Sequence, residues 1–290
     1  MARAPVCALA LALCCAPPSE EVPAGGGALV RVATWNVHDL FDEADRLVPP
    51  GAADEVPSPA EVEEKLARLA AVITRLDADV VFLQEVEGAA LLARLAERTG
   101  HAESRLVEGA DPRGIDVAVL SHLPVLSYVS HLGDAGAGGE PLWSRDCVEV
   151  HAAAGATRLV VVGTHLVSRL SDPRGERRIE QAARLREIAD AVEASQPGAV
   201  VLAGGDLNDE PGSAPLEELL GGGAWTDLVA SLRPDDAWTW SSGGAGRARL
   251  DYLLLARADG GALLRAFVAS GDDVTAASDH RPVVADLWIP

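Results

Sequence analysis

The sequence predicts an α/β chain built on mixed β-sheet, not a purely parallel, doubly wound one. Apolar strand-like runs alternate with amphipathic helical segments, yet several strand runs follow one another too closely for a crossover helix. A third observation gives the sheet a purpose. Six times an apolar run ends in or borders a compact polar cluster: Thr34-Trp35-Asn36, Leu83-Gln84-Glu85, Thr164-His165-Leu166, Gly204-Gly205-Asp206-Leu207-Asn208, Arg249-Leu250-Asp251-Tyr252 and Ser278-Asp279-His280-Arg281-Pro282. A lone acid beside a strand is ordinary. A recurring set of Asn, Glu, His, Asp-x-Asn, Asp and Asp-His supplies oxygen ligands for a hard cation together with acid-base groups, which suits metal-assisted phosphoryl chemistry.

The elements follow in order. Val32 to Trp35 is a strand run, and residues 42 to 57, rich in Asp, Glu and Pro, read as a solvated loop. Ser58 caps the next helix, with Pro59 in its first turn and Glu61 closing a capping box, while Val62, Leu66, Leu69, Ile73 and Leu76 recur at helical spacing. Val80 to Leu83 is a buried strand that delivers Glu85 to its end. Helices are expected from Ala89 to Arg98 and from Glu176 to Glu193, the second with Ile179, Ala183, Ile188 and Val192 on one face. Strand character marks Ile115 to Leu120, Val125 to Val129, Cys147 to Val150 and Leu159 to Gly163. Val200 to Ala203 then leads to Asp206, Leu250 to Leu255 carries Asp251, and Val283 to Ile289 follows Asp279-His280.

With 290 residues, 48% of them hydrophobic, and no Ser/Gly/Pro linker across its middle, the chain reads as one catalytic domain over residues 25–290. Residues 1–24 read as an export signal: one positive charge at Arg3, an apolar stretch from Val6 to Ala16, then Pro17-Pro18-Ser19-Glu20-Glu21. Cys14 and Cys15 sit where a lipoprotein would be cut and acylated, although Leu13 stands where a small residue is preferred; cleavage after Ala24 is the alternative. The expected location is therefore outside the cytoplasm: secreted, periplasmic or lipid-anchored. Three of the four cysteines fall in that leader, so Cys147 is alone in the mature domain and is expected in the core.

The formal net charge of −20 argues against a broad polyanion-binding surface. Local arginine clusters can still bind phosphate, and Lys65 is the one lysine among 24 basic residues. No obligate protein partner is indicated.

In order and wording, the six clusters resemble the endonuclease/exonuclease/phosphatase superfamily of deoxyribonucleases, abasic-site nucleases, inositol-phosphate phosphatases and neutral sphingomyelinases. The resemblance covers residues 29–290, and its specific part is Gly-Asp-x-Asn followed by Ser-Asp-His-x-Pro. It implies a four-layer sandwich, two mixed β-sheets flanked by helices, with the site at one edge. It also implies a Mg²⁺-dependent phosphodiesterase, with Mn²⁺ as the alternative ion, acting on DNA or RNA with low sequence specificity. A phosphatase or phospholipase C-like enzyme for inositol phosphates or sphingomyelin is the runner-up. A non-catalytic binding module is the third reading; it would show the loss of Glu85, Asp206, Asp251 or His280, and all four are present.

By the same resemblance Glu85 is the metal ligand, Asn36 orients metal or phosphate, and Asp279 approaches the metal. Asp206 orients or deprotonates the attacking water and Asn208 bonds the phosphate. His280 contacts the phosphoryl oxygen or activates water, oriented by Asp251. His165 contacts the phosphate or assists the leaving group. Some relatives carry an acid two residues beyond the Asn, where this chain has His38 and, one step later, Asp39. Arg145 and Arg113 are candidate phosphate contacts and Asp116 a supporting inward acid, whereas His101, His122, His131 and His151 lack such contexts. Asp209 reads as a turn residue, and Trp225, Trp238 and Trp240 as packing beneath the loop before Asp251.

Overall fold

The structure, a computed structural model, describes residues 27–44, 56–243, 246–257 and 262–290. The leader, with Cys7, Cys14 and Cys15, and most of the acidic loop lie outside these residues. The chain runs β1 (Ala28–Leu40), α1 (Pro59–Leu76), β2 (Val80–Glu87), α2 (Ala89–Thr99), β3 (Glu103–Leu106), β4 (Ile115–Ser121), β5 (Val125–Ser130), β6 (Cys147–Ala154) and β7 (Thr157–His165). It continues through α3 (Glu176–Ser195), β8 (Val200–Asp206), α4 (Ala214–Leu220), β9 (Trp225–Asp227), α5 (Pro234–Ala237), β10 (Trp240–Ser241) and β11 (Arg247–Ala248). It ends with β12 (Asp251–Ala256), β13 (Leu263–Val268), α6 (Asp272–Ala277) and β14 (Val283–Ile289).

Two six-stranded sheets form, in the orders β13-β14-β1-β2-β4-β3 and β5-β6-β7-β8-β12-β9, beside a small β10-β11 ribbon. Each large sheet has one parallel pair, β1 with β2 and β7 with β8, joined through α1 and α3 respectively. The remaining pairs are antiparallel, so the sheets are mixed as expected.

Three apolar interfaces make four layers. Alternate residues point to opposite faces of a strand, so Val30 and Val32 of β1 meet Val161 and Leu202 of the other sheet, while Ala33 and Trp35 pack under α1, α2 and α6. On the far side Val160, Val162, Val201 and Ala203 pack under α3 and α4. Following the inner row along a strand shows where the site must lie. Val30 and Val32 lead to Thr34 and Asn36; Val80 and Phe82 lead to Gln84; Leu159 and Val161 lead through Gly163 to His165; Val200 and Leu202 lead through Gly204 to Asp206. On β12, antiparallel to β8, Leu255 and Leu253 lead back to Asp251. The space between the sheets is thus dry along most of its length and polar at one mouth.

Helix α1 carries its predicted signals: Ser58 and Glu61 complete the capping box, and Val62, Leu66, Leu69, Ile73 and Leu76 are buried. Cys147 is a free, buried core residue. Helix α3 needs a correction. Its buried face is Arg178, Gln181, Ala182, Leu185, Ile188, Ala189 and Val192, and Ile179 and Ala183 are only half-buried. Polar anchors at its first turns rotate the face: Arg178 Nε donates to Asp209 Oδ2 at 3.0 Å, and Gln181 bonds the backbone of Val167 and Leu142. Asp209 is therefore a buried anchor, not a simple turn residue. The sequence reading also missed β3, β9, β13 and the β10-β11 ribbon, which are short or edge strands.

The two sheets approach closely at Gly163, where a Cβ would fall 2.0 Å from the Phe82 ring. Gly163→Ala is expected to cost roughly 1–3 kcal/mol of overpacking. In a Phe82→Leu background the same substitution should cost less. Urea unfolding of the four proteins checks this; an unchanged stability for Gly163→Ala would mean the sheets are not in contact there.

Candidate active site

The strand pairing brings the polar clusters to one place. Asn36 and Gln84 are partners across β1 and β2, His165 and Asp206 across β7 and β8, and Asp251 faces Asp206 across β12. Asp279 and His280 enter from the turn between α6 and β14. They border a cleft of about 820 Å³ lined by Glu85, Arg113, Arg145, His165, Asp206, Asn208, Asp279 and His280 among others. Asn36 and Asp251 stand behind this wall and hold its residues. Every residue to which the sequence resemblance gives a role is in this assembly.

Glu85 reaches the cleft through a kink. The pairing of β2 with β4 shifts between Gln84 and Val86, and Glu85 has φ of 66°. Opposite it, the β1-β2 register shifts between Asn36 and Leu40, leaving His38 and Asp39 at φ of 55° and 53°. Asn208, at 51°, is the fourth left-handed non-glycine residue of the site; among the described residues the only other is Asp77, the C-cap of α1. Such backbone costs of the order of 1–3 kcal/mol per residue, and its concentration here marks a functional constraint. Gly205 serves a different need, since a Cβ there would lie 1.9 Å from Thr164 O on β7.

Asn36 Nδ2 ties the two carboxylates together, donating to Glu85 Oε1 at 3.1 Å and Asp206 Oδ2 at 2.9 Å. The Asp39 backbone N–H donates to Glu85 Oε2 at 2.9 Å. Burial opposes ionisation of Glu85, but His165, Arg113 and side-chain hydrogen bonds with Asp39 and Asn36 outweigh it and hold its carboxyl well below the usual range. Of these, Arg113 and the Asn36 amide act at neutral pH, because burial and the neighbouring Arg145 push His165 well below the ordinary histidine pKa. Arg113 Nη1 donates to Asp39 Oδ1 at 2.8 Å, and its Nη2 lies 3.6 Å from Glu85 Oε1. Asp39 itself is raised, by burial and then by Glu85.

A second group is wholly buried. His280 Nδ1 lies 2.8 Å from Asp251 Oδ2, and its Nε2 lies 3.9 Å from Asp206 Oδ2. Thr239 Oγ1 accepts from the backbone N–H of both Leu250 and Asp251, and Ser278 Oγ accepts from the His280 N–H while donating to Asn36 O. Burial would lower the His280 pKa, but Asp251's charge and hydrogen bond win and raise it to about 10. Asp206 is raised by burial and by Asp251. At neutral pH the group therefore holds an imidazolium against a carboxyl poised near its ionisation point.

The other predicted residues have defined places. His165 Nε2 lies 3.4 Å from Asp206 Oδ2. Asn208 N–H donates to Asp206 Oδ1 and its Nδ2 to Leu166 O, both at 2.9 Å. Arg145, 5% exposed, donates to the same Leu166 carbonyl at 3.0 Å, while its Nε has no hydrogen-bond partner among the described residues. Asp116 is buried and accepts from Gly109 N–H at 2.8 Å, bracing the loop between β3 and β4. Trp225 is remote from the cleft, its Nε1 bonded to Asp190, whereas Trp240 belongs to the site and donates to Asp279 Oδ2 at 2.9 Å. Sequence reading assigned Trp240 to packing, named Asp39 only as an acid one step beyond the family position, and gave Lys65 no role in the site. Lys65 Nζ donates to Ala277 O at 2.7 Å, and burial lowers its pKa to about 8 against the opposing charges of Asp39, Asp279 and Glu85.

These donors fit a hard divalent cation. They are carboxylate and amide oxygens, and the buried Oδ1 atoms of Asp279 and Asp251 accept no hydrogen bond among the described residues. Asp206, Asp251 and His280 have ligand atoms within 4.8 Å of one another; Glu85 and Asp279 line the cleft itself, with Asn36 behind them, its Oδ1 accepting from the His38 N–H at 2.9 Å. Glu85 and Asp279 face the space that a phosphate would enter, which favours them for a metal. Mg²⁺ or Mn²⁺ at about a hundredfold above its dissociation constant should then add about 2.7 kcal/mol of stability. Thermal melts with and without metal check this, and Glu85→Gln should abolish most of the gain; an unchanged gain in that variant would move the metal elsewhere.

Comparisons with known proteins agree with this geometry. The family model described as "Endonuclease/Exonuclease/phosphatase family" matches residues 33–280. No curated protein sequence matches. Truncated Caenorhabditis elegans TDP2 superposes with a TM-score of 0.64 at 19% identity, over 90% of this chain and 98% of that one. D. rerio TDP2 complexed with a single-strand DNA product gives 0.65 at 17%, over 90% and 99%. The human Nocturnin catalytic domain with bound sulfate gives 0.65 at 16%, over 90% and 97%. At such identities these structures speak to the fold. The family match over most of the chain shows that this protein belongs to the endonuclease/exonuclease/phosphatase family of metal-dependent phosphoric ester hydrolases.

Proposed function

We propose that this chain is an exported phosphodiesterase of the nuclease type, hydrolysing DNA or RNA with little sequence preference. The observation that carries the chemistry is the buried Asp206-His280-Asp251 unit beside a second, cleft-facing carboxylate set around Glu85. The likeness to a TDP2 that holds single-strand DNA supports the choice of substrate. Export rests on the leader sequence alone.

Glu85, Asn36 and Asp279 would hold Mg²⁺, with Mn²⁺ as the alternative. When bound, the ion offsets charge on the phosphoryl oxygens. The chain's own residues do the rest. Asp206, raised toward neutrality by burial and Asp251, can take a proton from water, and Asn36 and the Asn208 N–H fix its two oxygens. His280, charged and aimed by Asp251, presents Nε2 to the charge that develops on the phosphoryl group. Arg145 and Asn208 share the Leu166 carbonyl, and this bond positions both at the cleft wall for phosphate contact. Neutral His165 can donate a hydrogen bond to phosphate or leaving group without adding charge.

Asp206→Ala and His280→Ala should each lower turnover roughly 10²-fold or more, the usual scale for acid-base groups, with circular dichroism unchanged. Turnover within threefold of the parent would remove the residue from the mechanism.

The substrate class is tested by incubating the protein with Mg²⁺ and DNA, RNA, sphingomyelin or inositol phosphates. Because the chain is so acidic, only a few phosphates near the cleft can be neutralised, and log K for nucleic acid should fall against log salt with a slope of about −2 to −4. Intact DNA and RNA beside a hydrolysed phospholipid or inositol phosphate would overturn the nuclease reading.

A further inference from the structure

Beyond His38 and Asp279 the cleft continues into a second groove of about 700 Å³, between α1, α6 and the β10-β11 ribbon. His38 and Asp279 line both spaces, so the two are contiguous. For a protein of net charge −20, this groove has an inverted balance: one carboxylate, Asp279, against Lys65, Arg247 and Arg281.

None of those three cations is paired with an acid at hydrogen-bond distance among the described residues. Lys65 Nζ donates to Ala277 O at 2.7 Å, and Arg281 donates to Ala269 O and Trp238 O, each at 3.1 Å. Arg247 stacks on the Trp238 ring, its guanidinium carbon 4.6 Å from the centroid, and Arg281 stacks on the same ring at 4.2 Å. Two guanidinium groups are thus held together on one indole although they repel each other. Carbonyl and π-face contacts orient a cation without neutralising it, so Arg247, which is exposed, keeps its charge for a ligand. The indole is occupied by cations and is not a platform for a base.

We propose that this groove is a second phosphate subsite, which takes the phosphodiester next to the scissile one and makes an oligonucleotide strand a better substrate than any ester with a single phosphate. The proposal rests on the nuclease reading and narrows it: affinity grows when the substrate is long enough to reach from the cleft to Arg247. A lipid headgroup or a mononucleotide has no second phosphodiester to place there.

The test compares a single-stranded octanucleotide with bis(p-nitrophenyl) phosphate, a diester with one phosphorus. Arg247 touches no residue of the acid-base unit, so both kinetic constants for the small diester should be unchanged in Arg247→Glu. For the octanucleotide KM should rise roughly tenfold, the scale of one charged hydrogen bond, with kcat within twofold. Arg247→Lys should recover most of the loss. Fluorescence anisotropy with a labelled octanucleotide in EDTA should show the salt slope reduced by about 1 in Arg247→Glu. An unaltered octanucleotide KM and slope would overturn the subsite while leaving the nuclease reading intact. Equal losses on both substrates would also overturn it, tracing the effect to a displaced ribbon acting through Trp240 and Asp279. Hydrolysis of the small diester alone, with the octanucleotide neither cut nor bound, would overturn the nuclease reading and the subsite together.

Discussion

One row of side chains governs this molecule. The residues that face inward between the two sheets are apolar along most of each strand and polar at one end. The same alternation that buries Val30, Val32, Val161 and Leu202 therefore also aims Asn36, His165, Asp206 and Asp251 at a shared point. Packing between the sheets is what sets the distances at the mouth, and no separate scaffold is needed. A shift of any strand by one residue would turn its polar group to the helix-covered face and expose or bury the wrong set.

Burial at that mouth is what makes the groups reactive. Removing carboxylates from water raises their pKa, and here two compensations keep particular groups charged. Arg113 and N–H donors hold Glu85 as a carboxylate, whereas Asp251 holds His280 as an imidazolium and raises Asp206. Neighbouring acids thus acquire different tasks from their surroundings alone. In the cleft and in the groove beyond His38, arginines are held by carbonyls and aromatic rings.

Much of this was legible in the sequence. Glu85, Asp206, Asp251 and His280 sit in motifs whose strand-end position follows from period-two patterning, and Ser58 with Glu61 announced α1 outright. Other features depend on contacts between segments far apart in the chain and left no local trace. The face of α3 turned because Arg178 finds Asp209, a partner 31 residues away, and Trp240 joined the site because the ribbon that carries it pairs with His280. Short strands such as β9 and β10 fall below the length at which periodicity can speak. Asp39 stood in the sequence one step beyond the position where some relatives carry an acid, and only the register shift at His38 and Asp39 brings its backbone N–H to Glu85.

The most direct test of this account is the titration of His280 itself. In protein labelled at the histidine ring carbons and nitrogens, the His280 resonances of metal-free enzyme should report an imidazolium that persists through neutrality and loses its proton at about pH 10. Asp251→Asn should bring that midpoint down by several units. A midpoint at or below 6.5 in the parent protein, with the chain folded, would contradict the account, because His280 would then be neutral where the mechanism requires its charge.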